Sequence, residues 1–175
     1  MTPSYELTDE TKELNGLKFY RIRATRDIGN ISKAGDLGGW LPSVENDNGD
    51  FYIQDNAWLS GDAQVSGNAW LSGDARVFDD ARVFDDAQVY SKAQVYGNAW
   101  VFDDAWDASP LQIQGTRDFI NIATATEIKV GCVTLNLSNA LDQYEKLGKE
   151  NGYNEKEIEE YGEYIKLFVK SYGNK

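Results

Sequence analysis

The chain has 175 residues, room for one compact domain or a small core with appendages and too few for a multidomain enzyme. Lysine plus arginine number 17 against 29 acids, a net charge of −12, which argues against a general nucleic-acid or anionic-membrane binder. There is no histidine, so the commonest general base and zinc ligand are missing, and a single cysteine, Cys132, excludes intrachain disulfides and thiolate zinc clusters. No apolar run approaches the roughly 20 residues of a membrane span, and Met1–Glu6 lacks the basic and apolar regions of a signal peptide, so a cytosolic setting is expected.

In chain order, residues 1–52 read as an N-terminal β cap and lead-in coil. Residues 14–34 carry Lys18, Arg21, Arg23, Arg26 and Lys33 against Asp27, and Leu17–Ala24 alternates well enough to be a strand with one basic face. Ile31 and Leu37 stand six apart before Gly38-Gly39, as a partial coil would require, and 42–50 reads as a polar loop. The segment has two readings. It closes the apolar end of the repeat that begins at Ile53, or Arg21, Arg23 and Arg26 form a local anion site, since guanidinium suits phosphate or carboxylate.

Residues 53–106 repeat with a period of six. Ile53, Leu59, Val65, Leu71, Val77, Val83, Val89, Val95 and Val101 form one series, and Ala57 through Ala105 follow in step. Between them lie turn pairs such as Gly61-Asp62, Gly67-Asn68, Asp79-Asp80 and Gly97-Asn98, residue types that tolerate tight corners. A helix would repeat every three or four positions, and a hairpin ladder needs longer alternation. Short strands joined by corners fit. Each hexad forms one side of a three-sided coil, with the aliphatic inside and three hexads to the turn. The predicted fold is mainly β, about three to five coils with caps at both ends.

The same three-hexad arithmetic sorts outward side chains onto three faces: Trp70, Tyr90 and Trp106; Trp58, Phe78 and Tyr96; and Phe84, Trp100 and Phe102. Nine aromatics on so small a surface predict covering by the chain's ends or by other copies. The expected oligomer interface comprises Trp58, Phe78, Phe84, Tyr90, Tyr96, Trp100 and Phe102, with cross-coil stacking the simpler account for one face. Asp85-Asp86 and Asp103-Asp104 share one corner column. They read as solvated acidic corners rather than a calcium site, because no calcium-loop spacing is present, and no metal site is assigned.

After Trp106 the repeat breaks at Asp107 and Pro110. Residues 107–137 form a predicted C-terminal β segment, with strands around 111–115 and 127–133. Arg117 and Lys129, with Thr116 as a hydroxyl partner, make a candidate polar pocket there. Residues 138–175 read as a helical appendage. Ser138 is the expected cap of the first helix, with Leu141, Tyr144 and Leu147 on one stripe; Asn154 and Glu157 approximate a capping box for the second, with Ile158, Tyr161, Ile165, Phe168, Val169 and Tyr172. That second stripe could cover an aromatic face of the coils or meet another subunit.

The hexads resemble the left-handed parallel β-helix of hexapeptide-repeat proteins, and the left-handedness is an implication of that resemblance alone. The wider chain resembles a group of phage and prophage hexapeptide-repeat proteins through Tyr20–Ala24, Ala34–Trp40, the repeat, Gly115-Thr116-Arg117 and Gly131-Cys132. The resemblance implies a homotrimer. It also raises acetyl transfer from coenzyme A, but those enzymes use a histidine beside a loop projecting from the coils, and this chain has neither. The expected function is therefore a non-enzymatic oligomeric binder without cofactor. In a phage setting it would sequester a nucleotide-like signal or block a host defence protein, with Arg21, Arg23, Arg26, Thr116, Arg117 and Lys129 as ligand residues. The alternatives are the acyltransferase and an acidic docking module for a basic partner.

Overall fold

The computed structural model describes residues 3–173. It divides into two compact units, Met1–Pro110 and Leu111–Lys175. The first is a β-solenoid with an N-terminal hairpin; the second is a small sheet with two helices.

In the first unit, β1 (Tyr5–Leu14) and β2 (Leu17–Ala24) form an antiparallel hairpin, and β3 (Leu37–Leu41) pairs antiparallel with β2. Nine short strands follow: β4 (Trp58–Leu59), β5 (Gln64–Val65), β6 (Trp70–Leu71), β7 (Arg76–Val77), β8 (Arg82–Phe84), β9 (Gln88–Val89), β10 (Gln94–Val95), β11 (Trp100–Phe102) and β12 (Ala105–Trp106). Every third strand pairs in parallel, giving ladders β4–β7–β10, β5–β8–β11 and β6–β9–β12. Within the first two the partners stand three hexads apart, as Leu59 with Val77 and Val83 with Val101. Amides donate across this step: Trp58 N to Ala75 O and Gln64 N to Ala81 O are both 3.0 Å. Val77, Val83 and Val89 lie on three different ladders and all are fully buried.

The corners explain the Gly/Asp/Asn usage. Asp55, Gly61, Gly67, Gly73, Asp79, Asp85, Ser91, Gly97 and Asp103 all have φ between 55° and 67°, one left-handed residue in each hexad. Aspartates at these corners also support the next turn: Asp55 Oδ2 accepts from Gly73 N and Asp79 Oδ2 from Gly97 N, each at 3.1 Å. Alanines 57 to 99 are fully buried beside them.

The expected outward row fails at its end. Trp106 pairs with Val89 and Ala105 with Gln88, a step one position shorter than three hexads. A slip of one position reverses the face of every side chain, so Trp106, expected outside with Trp70 and Tyr90, occupies an aliphatic position and is buried, while Ala105 is exposed. At the other end the residues that suggested a lead-in coil, Ile31 and Leu37, do not point inward. Leu37 is exposed, whereas Gly38, Gly39, Trp40 and Leu41 are buried. Trp40 pairs with Gln64, four hexad lengths on rather than three, because the 42–50 loop lengthens that turn. A Cβ on Gly39 would lie 2.5 Å from Leu59 Cγ and 2.6 Å from Ala63 O, so the backbone there closes directly on the first coil.

In the second unit, β13 (Gln112–Gln114), β14 (Phe119–Ile122), β15 (Glu127–Val130) and β16 (Val133–Asn136) form one antiparallel sheet in sequence order. Helices α1 (Ala140–Glu150) and α2 (Glu155–Tyr172) follow. The residue at the α1 cap is Asn139 rather than Ser138, without a side-chain cap bond. The Asn154–Glu157 capping box is formed in full. The stripe Tyr161, Ile165 and Phe168 is buried, and Tyr161 and Ile165 line an apolar cleft with Val130, Val133 and Leu135 of this unit's own sheet. The helices therefore belong with the 111–136 strands rather than forming a separate appendage. Among the described residues, no helix is long and apolar enough to cross a membrane.

Candidate functional site

The six-stranded sheet β1–β2–β3–β5–β8–β11 joins the hairpin to one solenoid ladder. Its register places Arg21, Trp40, Gln64, Arg82 and Trp100 side by side on five consecutive strands. At the strand spacing of about 4.8 Å this row is roughly 19 Å long. The Arg21 guanidinium lies 5.1 Å from the Trp40 ring centroid and that of Arg82 lies 4.7 Å from Trp100. Lys12 Nζ stands over Trp40 at 4.3 Å. Tryptophan faces attract cations, and the flat guanidinium stacks on them.

Asp62 is the acid in this cluster, 3.4 Å from Lys12 Nζ and accepting from Trp40 Nε1 at 3.1 Å. Lys12 and Trp40 hold its carboxyl below the ordinary range. Burial is the main cause of a lowered Lys12 value, and Arg21 and Arg82 add like-charge repulsion against the pull of Asp62. Arg21 and Arg82 are thus each within electrostatic reach of Lys12 on a chain with net charge −12. Among the described residues, neither Arg21 nor Arg82 has a carboxylate at ion-pair distance, and Arg21 Nε is buried with no hydrogen-bond partner. An anion arriving here would meet forked donors that need no partner exchange.

The other expected ligand residues are placed differently. Arg23 pairs with Glu6 across the hairpin at 3.4 Å. Arg26 donates to Asp55 O and to Asp27 O, clasping the first corner of the repeat. In the second unit, Arg117 Nη1 donates to Gly152 O at 2.8 Å and Nη2 to Asn151 O at 3.1 Å. Its guanidinium also stands 3.5 Å from Glu157 and 4.3 Å from the Tyr153 ring centre. That arginine ties the end of α1 to the sheet and is fully engaged. Thr116 donates to Glu160 through both its amide and its hydroxyl, pulling that carboxyl below its usual value. Lys129 is buried at 6% exposure on β15, opposite Asn121 and Thr134. Thr116 and Arg117 are joints of a small domain. Lys12, Trp40, Arg82 and Trp100 were not among the ligand residues expected from the sequence.

The aromatic faces are less exposed than the sequence suggests. Trp58 is buried at 3%, and of the other outward aromatics of the repeat only Tyr96 is more than a third exposed. Stacking covers the rest: Trp70 with Tyr90 at 6.3 Å, Phe78 with Tyr96 at 5.4 Å and Phe84 with Phe102 at 5.1 Å between centroids. Trp58 is therefore removed from the expected interface set.

The acidic corner column behaves as a repulsive pair. Asp85 is held above the ordinary carboxyl value, first by burial and then by Asp103 and Asp86. No group of three or more acidic, cysteine or histidine side chains able to hold a metal occurs among the described residues. A raised folded value means that Asp85 favours the fold while protonated and opposes it once ionised. Asp85→Asn is expected to raise the thermal midpoint at pH 7, on the scale of roughly 0.2–1 kcal/mol typical of facing side-chain pairs. The gain should vanish below about pH 3, under the ordinary carboxyl value. A gain that persists at low pH would mean the repulsion is not its source.

Residues 75–91 and 93–107 match the family model described as the YdcK beta solenoid repeat. The matched stretches carry the corners from Asp79 to Asp103 and reach the inward-turned Trp106. No curated protein matches the chain.

Proposed function

We propose that this protein is a non-enzymatic binder of a small anion, with Lys12, Arg21 and Arg82 as the recognising cations. The observation that carries the proposal is the pair of arginines lying on Trp40 and Trp100 with no carboxylate at ion-pair distance. Buried or half-buried guanidinium without a partner is costly, and a phosphate would offset that cost bidentately. The parallel ladders and the six-residue corners support a left-handed parallel β-helix of the hexapeptide-repeat type. Acetyl transfer is disfavoured because the histidine base of the hexapeptide-repeat acyltransferases is missing from the sequence.

In the phage setting that the resemblance suggests, the anion would be a nucleotide-like signal that the protein sequesters unaltered in the host cytosol. A homotrimer fits this role, formed through the half-covered stacks Trp70–Tyr90 and Phe78–Tyr96. Light scattering should return three times the 19.6 kDa chain mass; a monomer would rule the trimer out. The anion site is tested by calorimetry with pyrophosphate. Arg21→Ala with Arg82→Ala should weaken binding at least tenfold, and the wild-type affinity should fall steeply with salt. No measurable binding of pyrophosphate to the intact protein would overturn the proposal.

A further inference from the structure

Beside Arg82, a groove of about 300 Å³ runs between the hairpin tip and the face formed by β5, β8 and β11. Its volume falls at the lower end of small-molecule sites, roughly 300–1,000 Å³. The walls combine Leu14, Leu17 and Phe19 of the hairpin with Phe84 and Trp100 of the ladder. Phe84 meets Trp100 edge-on, at 5.9 Å and 86°. Leu17, at the lip, is 53% exposed, an apolar side chain left in water at a groove mouth. Arg82 belongs both to this groove and to the cation row, so the groove meets the positive charges at Arg82; Asn15, Gln64, Ser66 and the acidic Asp85 line it as well.

We infer that the groove seats a flat aromatic ring and that the anion bound by Lys12, Arg21 and Arg82 is the phosphate of the same molecule. The ligand class is then a nucleotide rather than a free phosphate or a sugar phosphate. This rests on the anion reading above and adds to it a ring seat. The Arg82 guanidinium, 4.7 Å over the Trp100 ring centre, offers a second planar surface on which a base stacks, and such stacking tolerates many bases. The solenoid face is rigid because each rung is held by backbone hydrogen bonds, so only the hairpin tip at 14–17 needs to adjust.

The test compares adenosine 5′-diphosphate, uridine 5′-diphosphate, pyrophosphate and adenosine by calorimetry on the full chain. Both nucleotides should bind at least tenfold more tightly than pyrophosphate and quench tryptophan fluorescence. Adenosine should bind at least tenfold more weakly than its diphosphate. Phe84→Ala, which removes a groove wall outside the cation row, should bring the nucleotides down to the pyrophosphate level while leaving pyrophosphate unchanged. Leu17→Ser, an uncharged change at an exposed lip position, should do the same if the Phe84 variant fails to fold. Equal affinity for nucleotides and pyrophosphate would overturn the ring seat and leave the anion site standing. Adenosine binding as tightly as its diphosphate would overturn the coupling of ring and phosphate. Binding of none of the four would overturn both readings.

Discussion

Gly67→Val is expected to cost about 3 kcal/mol or more, enough to melt the repeat well below the wild-type midpoint. Two penalties coincide. Gly67 has φ +67°, where a residue with a Cβ is disfavoured by about 1–2 kcal/mol. A Cβ there would also stand 2.9 Å from Asp85 N and 3.0 Å from Asp85 Cα, which are backbone atoms of the next turn and cannot swing aside. Gly49 supplies the control. It too has positive φ, +82°, but nothing lies within 4 Å of its Cβ position. Gly49→Val should therefore incur the backbone penalty alone, about 1–2 kcal/mol. Far-UV circular dichroism melts of both variants decide the matter. Equal losses would mean that contact between successive corners is not what requires glycine at position 67.

The corners also show why so much of the solenoid can be read directly from the sequence. A left-handed residue every six positions is a local requirement, met by Gly, Asp or Ser where it arises, and the aliphatic between corners has nowhere to point but inward. Departures occur where closure depends on distant chain. Trp106 turns inward because its pairing with Val89 falls one residue short of three hexads at the last strand of the stack, something that no count of sixes contains. Strand β1 escapes a pattern search because Glu6, Asp9, Glu10 and Lys12 break any alternation; an edge strand is held through its backbone pairing with β2.

The cation row is hidden for a related reason. Gln64, Arg82 and Trp100 share a column by the three-hexad step, but Trp40 joins it only across a fourth hexad length, and Lys12 arrives from the hairpin. Arg82 sits in sequence between Asp79-Asp80 and Asp85-Asp86, so its surroundings look acidic. Those carboxylates lie at corners, whereas the arginine stands on the flat strand against tryptophan. Conversely, Arg117 looks free in a neutral segment and is consumed by the carbonyls ending α1. Arginine count locates neither site; what separates them is whether backbone acceptors reach the guanidinium.

Tyr161→Phe is expected to destabilise the second unit by about 2 kcal/mol or more while leaving the solenoid unchanged. The phenol oxygen accepts from Arg117 N at 3.1 Å and from Asp118 N, and donates to Asp118 O at 2.7 Å. Burial raises its ionisation above the ordinary phenol value, so the donated hydrogen is retained across the physiological range. Removing one oxygen leaves two part-buried amides without their acceptor and the Asp118 carbonyl with Gly115 N alone, and a fully buried group so stranded costs about 1–3 kcal/mol. The loss can be localised spectroscopically. All five tryptophans, at 40, 58, 70, 100 and 106, lie in the first unit, whereas both helices lie in the second. In urea, the helical dichroism transition of the variant should move to lower denaturant while the tryptophan fluorescence transition stays in place. An unmoved dichroism transition would show that the tyrosine hydroxyl does not hold the turn. A tryptophan transition that moves equally would show that the two units unfold as one cooperative body, and that the hydroxyl stabilises both.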